Sequence, residues 1–233
     1  MNIGPYRIDE RDWITQKVGM EIYTHIKNET DYEKLSGVKL PKNPTFLAKG
    51  TQGSVFDIGG GKVIKITEDK SEAKIASRLI GKKLRGIYTV HHVAVNTDMA
   101  NKPVYFIIQD KLKPVSEGEY EKISNYFYDF KNDIMNNDYD FWDKYLRGSP
   151  DISTWWDDIV LKAFIEIYVK ENKPPKGAVD IAYGLNNLNK KKISYYDLHS
   201  GNVMKSGSEF VIIDLGYSKS LGGPGKIAKV NLE

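Results

Sequence analysis

The 233-residue sequence contains no cysteine, which excludes disulfide bonds, thiolate catalysis and cysteine-ligated zinc. It has only four histidines, and no two of them have the helical HxxxH spacing of a zinc site. No apolar run approaches the ~20 residues that span a bilayer, and the N-terminus lacks a basic start followed by an apolar stretch. A chain without membrane contacts, working in the cytoplasm, is expected.

Charge of one sign is also scarce, because the formal net charge is only +3. The basic clusters, around Lys170 and at 189–192, are short, and such clusters are usually solvated surface. Direct nucleic-acid binding is therefore not expected. The sequence does have 40% hydrophobic and 12% aromatic residues, which is enough for one substantial core or for two small lobes.

The first half of the chain has a helical segment followed by short β-prone runs. Apolar residues spaced three and four apart predict an amphipathic helix over 9–28. From Thr45 onward, β-prone runs alternate with glycines, which predicts hairpin strands joined by the turn at Gly59–Gly61. A short helix capped by Ser71 is predicted next, and VHHVAVN and PVYFIIQDKL follow as two more strands.

From about Ser116 the pattern becomes helical and aromatic. Ser149 and Pro150 begin a predicted helix that stops before Pro174, and a weaker helix surrounds Gly184. The last strands form a predicted hairpin that turns at 206–208. The fold class is therefore α+β, with a β-rich amino half and a mostly helical carboxyl half.

The hairpin Gly50-Thr-Gln-Gly53 joins two strands, so it is not a Walker loop, which leads into a helix. Glycines in such a turn allow backbone N–H groups to approach a phosphate. An ordinary hairpin is the alternative. Lys65 lies in the following apolar strand, where its charge must reach solvent or meet an anion. Glu72 is its candidate carboxylate partner, unless Glu72 is only a solvated residue in the first turn of a helix.

The segment ISYYDLHSGNVM holds Asp197 and Asn202, and Asp214 follows at the end of the apolar run FVII. An acid that emerges from a buried strand is poorly explained by packing. Asn202 and Asp214 would supply a carbonyl oxygen and a carboxylate, which suit Mg²⁺. Asp197 is then available to accept a proton from an attacking hydroxyl.

These motifs occur in an order that resembles the protein-kinase signature set, over roughly Thr45 to Ser220. LAKGTQGSVF resembles the glycine loop, with Ala48 at the position of its first glycine. KVIK resembles the strand that carries the phosphate-binding lysine. DLG resembles the metal-binding DFG motif. The resemblance implies a bilobal kinase-like fold that uses ATP and Mg²⁺. It divides the chain into a helical extension (1–44), an N-lobe (45–112) and a reduced, mostly helical C-lobe (113–233).

The resemblance also implies which residues bind the nucleotide. The residues expected to line the adenine slot are Val55, Val63, Met204 and Ile213. Gln109 would lie at the back of that slot, and backbone groups of Asp110 to Leu112 would bind the base. The residues expected to bind or position the phosphates are Gly50, Gly53, Lys65 and Glu72.

The chain departs from the family at three positions beside Asp197. Tyr195 and Tyr196 stand where kinases have His-Arg, and His199 stands where serine/threonine kinases have lysine. Without that arginine, phosphorylation-dependent ordering of the usual kind is not expected. His199 either contributes to catalysis, by holding Asp197 or contacting the γ-phosphate, or only caps its loop.

DLHSGNVM and the short sequence after Asp214 resemble the minimal serine/threonine protein kinases encoded by short-tailed bacteriophages. That resemblance implies phosphorylation of host proteins in the host cytoplasm. DLHxGN is also similar to the loop of aminoglycoside and choline phosphotransferases, so a small-molecule kinase is an alternative. It would need an acidic pocket, for which the candidates are Asp138, Asp140, Asp157 and Asp158. A third alternative is an inactive kinase-fold protein that binds a host partner.

Overall fold

The computed structural model of the chain describes residues 16–49, 53–97, 102–137, 165, 169, 173–195, 197–220 and 224–230. The structure is of the mixed α+β class that the sequence predicts. The chain divides into two compact units. The first comprises the described residues of 1–82, 89–111 and 223–233, and the second those of 83–88 and 112–222.

The first unit is built on a six-stranded sheet. Its strands are β1 (Thr45–Lys49), β2 (Gly53–Gly59), β3 (Lys62–Thr67), β4 (Val90–Asn96), β5 (Val104–Asp110) and β11 (Ala228–Lys229). Their order in space is β1-β2-β3-β5-β4-β11. Neighbours pair antiparallel, except that β11 lies parallel to β4. The strands expected from VHHVAVN and PVYFIIQDKL are thus confirmed, whereas β11 was not predicted.

In the part of this unit that the structure describes, three helices accompany the sheet: α1 (Gln16–Glu29), α2 (Tyr32–Ser36) and α3 (Lys70–Leu79). The apolar face of α1 is buried in one core with the sheet, where Ile22 and Ile26 are at most 2% exposed. Gly19 permits this packing, because a Cβ there would come within 3.1 Å of the Phe56 ring. The predicted N-terminal helix is therefore a packed part of the first unit, and residues 9–15 of that prediction lie outside the described residues.

The turn between β2 and β3 is formed by the three glycines that the sequence predicted. Gly59, Gly60 and Gly61 have φ angles of 80°, 60° and 71°. Residues other than glycine rarely adopt positive φ angles at three successive positions, because their Cβ atom clashes with the neighbouring backbone. The GGG sequence therefore fixes the position of this hairpin and the register of the two strands on either side of it.

Among its described residues, the second unit has two α-helices, a small three-stranded sheet and a two-stranded sheet. Its elements are β6 (Lys113–Pro114), α4 (Glu117–Asn137), α5 (Lys176–Lys190), β7 (Ile193–Ser194), β8 (Val203–Ser206), β9 (Glu209–Ile212) and β10 (Lys219–Ser220). The sheets have the orders β6-β8-β9 and β10-β7. The β8–β9 hairpin turns at Gly207, whose φ is 62°, as predicted. The predicted helix from Ser149 lies outside the described residues, apart from residues 165 and 169.

Helix α5 has a largely buried face, and the weak helix predicted around Gly184 is confirmed. A Cβ at Gly184 would clash with the Gly86 carbonyl oxygen, so glycine is needed for a close backbone approach and not for flexibility. Asp180 on the same helix, 1% exposed, accepts hydrogen bonds from Arg85 Nε at 2.9 Å and from the Phe210 N–H at 3.2 Å. These contacts fasten segment 83–88 and β9 to α5.

Candidate functional site

Four of the predicted nucleotide residues of the first unit lie on one face of its sheet. Lys65 on β3 is paired with Val55 on β2 and with Ile107 on β5, and Val63 is paired with Gln109. Residues directly opposite in an antiparallel sheet, and residues two apart on one strand, share a face. Val55, Val63, Lys65 and Gln109 are therefore neighbours, on the face opposite to Ile64 and its neighbours, which pack with α1.

Lys65 forms an ion pair with Glu72. The Lys65 Nζ lies 2.6 Å from the Glu72 Oε1, and the side chains are 13% and 3% exposed. Glu72 is thus not the solvated first-turn residue that was the alternative. Withdrawing a charge from water is costly unless it is paired, so a pair this well buried holds the ammonium group in a defined place.

Glu72 is positioned by the cap of helix α3. The cap is Asp69, whose carboxylate accepts hydrogen bonds from the Ser71 N–H at 2.7 Å and the Glu72 N–H at 3.1 Å. The predicted cap, Ser71, was wrong. Asp69 fits better because its carboxylate can accept from two orphan N–H groups at once and is favoured by the helix dipole.

Gly53 lies at the first position of β2, and Gly50 lies outside the described residues. A Cβ on Gly53 would clash with the Ile66 carbonyl oxygen on β3 and come within 3.0 Å of the Thr67 Cβ. Glycine is therefore required here by strand packing alone. The close approach of a phosphate to this backbone, which the sequence also suggested, stays a prediction.

The end of β5 carries the residues expected near the base. The Gln109 Oε1 is buried and has no hydrogen-bond partner among the described residues. The N–H groups of Asp110 and Lys111 donate to the carbonyls of Thr89 and Gly61, at 3.1 and 2.8 Å. Those two N–H groups are therefore already used, and binding of a base by the backbone of Asp110 to Leu112 stays a prediction. Leu112, the third expected residue, begins the longer segment of the second unit.

In the second unit, Asn202 holds Asp197. The Asn202 side-chain amide donates to the Asp197 carbonyl oxygen at 2.9 Å and to its Oδ2 at 3.1 Å. Asn202 is 5% exposed and ends the 3₁₀ turn Ser200–Asn202, whereas Asp197 is half-buried. The two hydrogen bonds from one amide hold both the backbone and the carboxylate of Asp197 in place.

Asp214 follows β9 in an unusual backbone conformation. Its φ and ψ are 51° and 72°, in the left-handed region that non-glycine residues rarely adopt. The residue before it, Ile213, donates its N–H to the Asn202 carbonyl oxygen at 2.9 Å. The segments that carry the two predicted metal ligands are therefore joined by a backbone hydrogen bond. Strained conformations of this kind persist where surrounding contacts enforce them, and they cluster at functional sites.

His199 caps its loop, which is one of its two predicted roles, whereas its contribution to catalysis stays a prediction. Its Nδ1 accepts the Gly201 N–H at 3.1 Å, which caps the 3₁₀ turn. An accepting Nδ1 carries no proton, so the neutral ring has its hydrogen on Nε2. That Nε2 lies 3.7 Å from the Asp197 Oδ2, and the side chain is 56% exposed. His199 is thus a loop cap whose N–H is directed near the carboxylate of Asp197.

The sequence marked Tyr195 only as the position where kinases have a histidine. In the structure, its side chain connects the loop of Asp197 to the loop of Asp214. Its hydroxyl is within hydrogen-bond reach of two carbonyl oxygens, that of Asp197 at 2.8 Å and that of Ile213 at 3.3 Å. Burial is the main cause that raises the pKa of Tyr195 above its usual value, and Asp197 and Asp214 raise it further. The phenol therefore stays protonated and acts as a donor.

The other expected residues of this unit lie nearby. Met204 is half-buried on β8, where it is paired with Val211 on β9, and Ile213 is half-buried just after β9. Tyr196 lies outside the described residues. From the sequence, only the hydrogen bond of Tyr195 to the Asp197 carbonyl could have been suspected, because Tyr195 lies two residues before Asp197. Its other acceptor, the Ile213 carbonyl, is distant in sequence.

The described part of the chain holds no cluster of three or more histidine, aspartate or glutamate side chains suited to a metal. Mg²⁺ needs no such cluster, because it commonly takes one or two protein oxygens and completes its shell with phosphates and water. An Asn202 carbonyl and an Asp214 carboxylate are hard oxygen donors of this kind. The donor set of these two residues therefore fits Mg²⁺ in company with a phosphate ligand.

A scan against protein-family models found no match, and a search of curated proteins found none either. No helix in the described ranges is both long enough and apolar enough to cross a membrane. The function therefore has to be argued from the residues themselves.

Proposed function

We propose that the chain is a kinase-like phosphotransferase that moves the γ-phosphate of ATP to a serine or threonine hydroxyl of a protein. The observation that carries the proposal is the buried ion pair between Lys65 and Glu72. A lysine held on the face of a sheet, beside Val55 and Val63, is suited to bind a phosphate near an apolar slot for a base.

The roles proposed for the second unit follow from its hydrogen bonds. Asp197, held by Asn202, orients the attacking hydroxyl and accepts its proton. Asn202 and Asp214 would hold Mg²⁺, which neutralises charge on the phosphates when bound. His199, whose Nε2 lies 3.7 Å from the Asp197 Oδ2, contributes to charge stabilisation near the reacting groups. Positioning and charge neutralisation then supply most of the rate.

Two features of the sequence support a protein substrate in the host of a short-tailed bacteriophage. They are the DLHSGNVM loop and the intact set of Lys65, Asp197, Asn202 and Asp214. A pure binding protein has no chemical need for all four of these polar residues. The fold alone does not identify the acceptor, so the substrate is the part that the experiment must decide.

The test incubates the purified protein with radiolabelled ATP and Mg²⁺, together with host lysate or a panel of small alcohols. Asp197→Ala and Asp214→Ala serve as catalytic variants. The control is Lys17→Ala, which changes an exposed lysine of α1, the helix that packs on the sheet face opposite to Lys65. Label in protein bands that only the two aspartate variants lose would support the proposal. Labelled alcohols without labelled protein would replace it by a small-molecule kinase, and absence of turnover with capture of a host protein would replace it by a binding function.

A further inference from the structure

The C-terminal segment 224–230 is part of the first unit. Within it, β11 pairs in parallel with β4, matching Ala228 to Ala94. Val230 donates its N–H to the Val95 carbonyl oxygen at 2.9 Å and is fully buried in the core that α1 shares with the sheet. The Asn96 side-chain amide donates to the Val230 carbonyl oxygen at 3.3 Å. The segment is therefore anchored firmly at its far end.

Its near end lies against helix α3, which carries Glu72. The Gly225 N–H donates to the Ser77 Oγ at 2.8 Å, and that hydroxyl donates to the Lys74 carbonyl oxygen at 2.7 Å. A Cβ on Gly225 would clash with the Ser77 carbonyl oxygen, so the two backbones touch. Ser77 is 5% exposed and lies five residues after Glu72, on a helix of only ten residues.

A short helix whose N–H and C=O groups are bonded internally moves as one body. A displacement at Ser77 therefore displaces Glu72 as well. The Lys65–Glu72 pair stabilises the structure only while its geometry is good, because two desolvated charges that separate lose their attraction and keep their desolvation cost. Whatever holds the second half of α3 thus helps to hold this ion pair.

We propose that residues 224–230 form a strap that positions α3, so that Ser77 and Gly225 are positioning residues for Lys65. The strap links β4 at one end to α3 at the other. Its importance for phosphate transfer rests on the proposed function. Its effect on the ion pair does not, because the accessibility of the Lys65 amine can be measured in a protein that transfers no phosphate.

The test measures how fast acetic anhydride acetylates Lys65 in the full-length chain, read by mass spectrometry after proteolysis. Gly225→Ala inserts a methyl group between strap and helix, and Ser77→Ala removes the hydroxyl that joins them. Each is expected to speed acetylation of Lys65 by about fivefold, the factor that corresponds to one lost hydrogen bond. Ser77→Thr keeps the hydroxyl and is expected to restore most of the wild-type rate.

The control is Ile26→Val, which weakens the same core from α1, away from the strap. It is expected to lower the melting temperature while the Lys65 rate stays at the wild-type value. If Gly225→Ala and Ser77→Ala lower the melting temperature but also leave that rate unchanged, the strap only adds stability and the proposal is overturned. In an active protein, both variants are further expected to raise KM for ATP, and Ile26→Val is not.

Discussion

Lys65 and Glu72 lie 2.6 Å apart at Nζ and Oε1, with the carboxylate side chain only 3% exposed. The pair joins β3 to α3 and fixes the position of the Lys65 ammonium group on the sheet face. Its stability contribution and its functional contribution can be separated, because replacing one partner and replacing both have different electrostatic consequences.

Glu72→Ala is expected to destabilise the protein by about 3–5 kcal/mol, because it leaves the Lys65 ammonium desolvated without its carboxylate. The double variant Lys65→Met, Glu72→Leu is expected to lose clearly less, since no buried charge remains. Urea unfolding of the wild type, Lys65→Met, Glu72→Leu and the double variant gives the coupling energy. Additive losses would contradict the pairing.

Tyr195→Phe keeps the ring and removes the donor shared by the carbonyls of Asp197 and Ile213. If the chain is a phosphotransferase, kcat is expected to fall roughly tenfold to a hundredfold, because the loops of Asp197 and Asp214 are no longer held in position relative to each other. KM for ATP should change little. Steady-state kinetics gives both constants.

The matched control for that variant is Tyr23→Phe, which removes a hydroxyl that donates to the Pro41 carbonyl oxygen at 2.9 Å in the first unit. Both changes are expected to cost about 1 kcal/mol of unfolding free energy. Only Tyr195→Phe should reduce kcat. An equal kcat in the two variants would show that the Tyr195 tie has no part in positioning Asp197.

Gly184→Ala is expected to destabilise the protein, although alanine is the better helix former. The helix propensity gained is about 1 kcal/mol, whereas a Cβ forced against the Gly86 carbonyl costs roughly 1–3 kcal/mol. Gly118→Ala on α4 is the control, because a Cβ there meets no atom within 4 Å. Thermal melts should move in opposite directions, and a rise for Gly184→Ala would contradict the close approach.

His92 makes the stability depend on pH. Burial, followed by the nearby charge of Lys226, lowers the pKa of His92 below its ordinary value of 6.5. The unfolded chain therefore binds a proton more readily than the folded one. Stability is fully present above about pH 6.5 and is lost as the pH falls toward the folded-state pKa, by at most about 1.4 kcal/mol per pH unit.

Replacing this residue, in His92→Leu, is expected to flatten that part of the stability curve. Urea unfolding at several pH values between about 7.5 and about 5 measures the difference between variant and wild type. The carboxylates titrate in both proteins and cancel in the difference. Two parallel curves would mean that the protonation of His92 is not linked to folding.

Local patterns in the sequence predicted strands β1 to β5, the GGG hairpin, the β8–β9 hairpin and helix α5. Strand alternation and glycine turns depend on near neighbours, so they can be read without a structure. The cap of α3 was wrong although it is also local, because Asp69 and Ser71 are both good caps. The spacing of three residues from Asp69 to Glu72, which is that of a capping box, was the signal that could have decided it.

Contacts between distant segments could not be predicted in this way. The close approach of Gly86 to Gly184 joins residues far apart in the chain, and so do the two acceptors of Tyr195. The pairing of β11 with β4 adds a parallel strand where no alternating pattern marks one. Sequence order suggested that Lys65 and Glu72 form a pair, but it could not show how deeply their charges are buried.

The parallel pairing of β11 also affects synthesis on the ribosome. Strands β1 to β5 emerge first, and the outer edge of β4 then has no β11 until nearly all of the second unit has been made. An open strand edge is a template for pairing with other chains. Nascent or interrupted chains are therefore expected to aggregate more readily than the finished protein, in which β11 covers that edge.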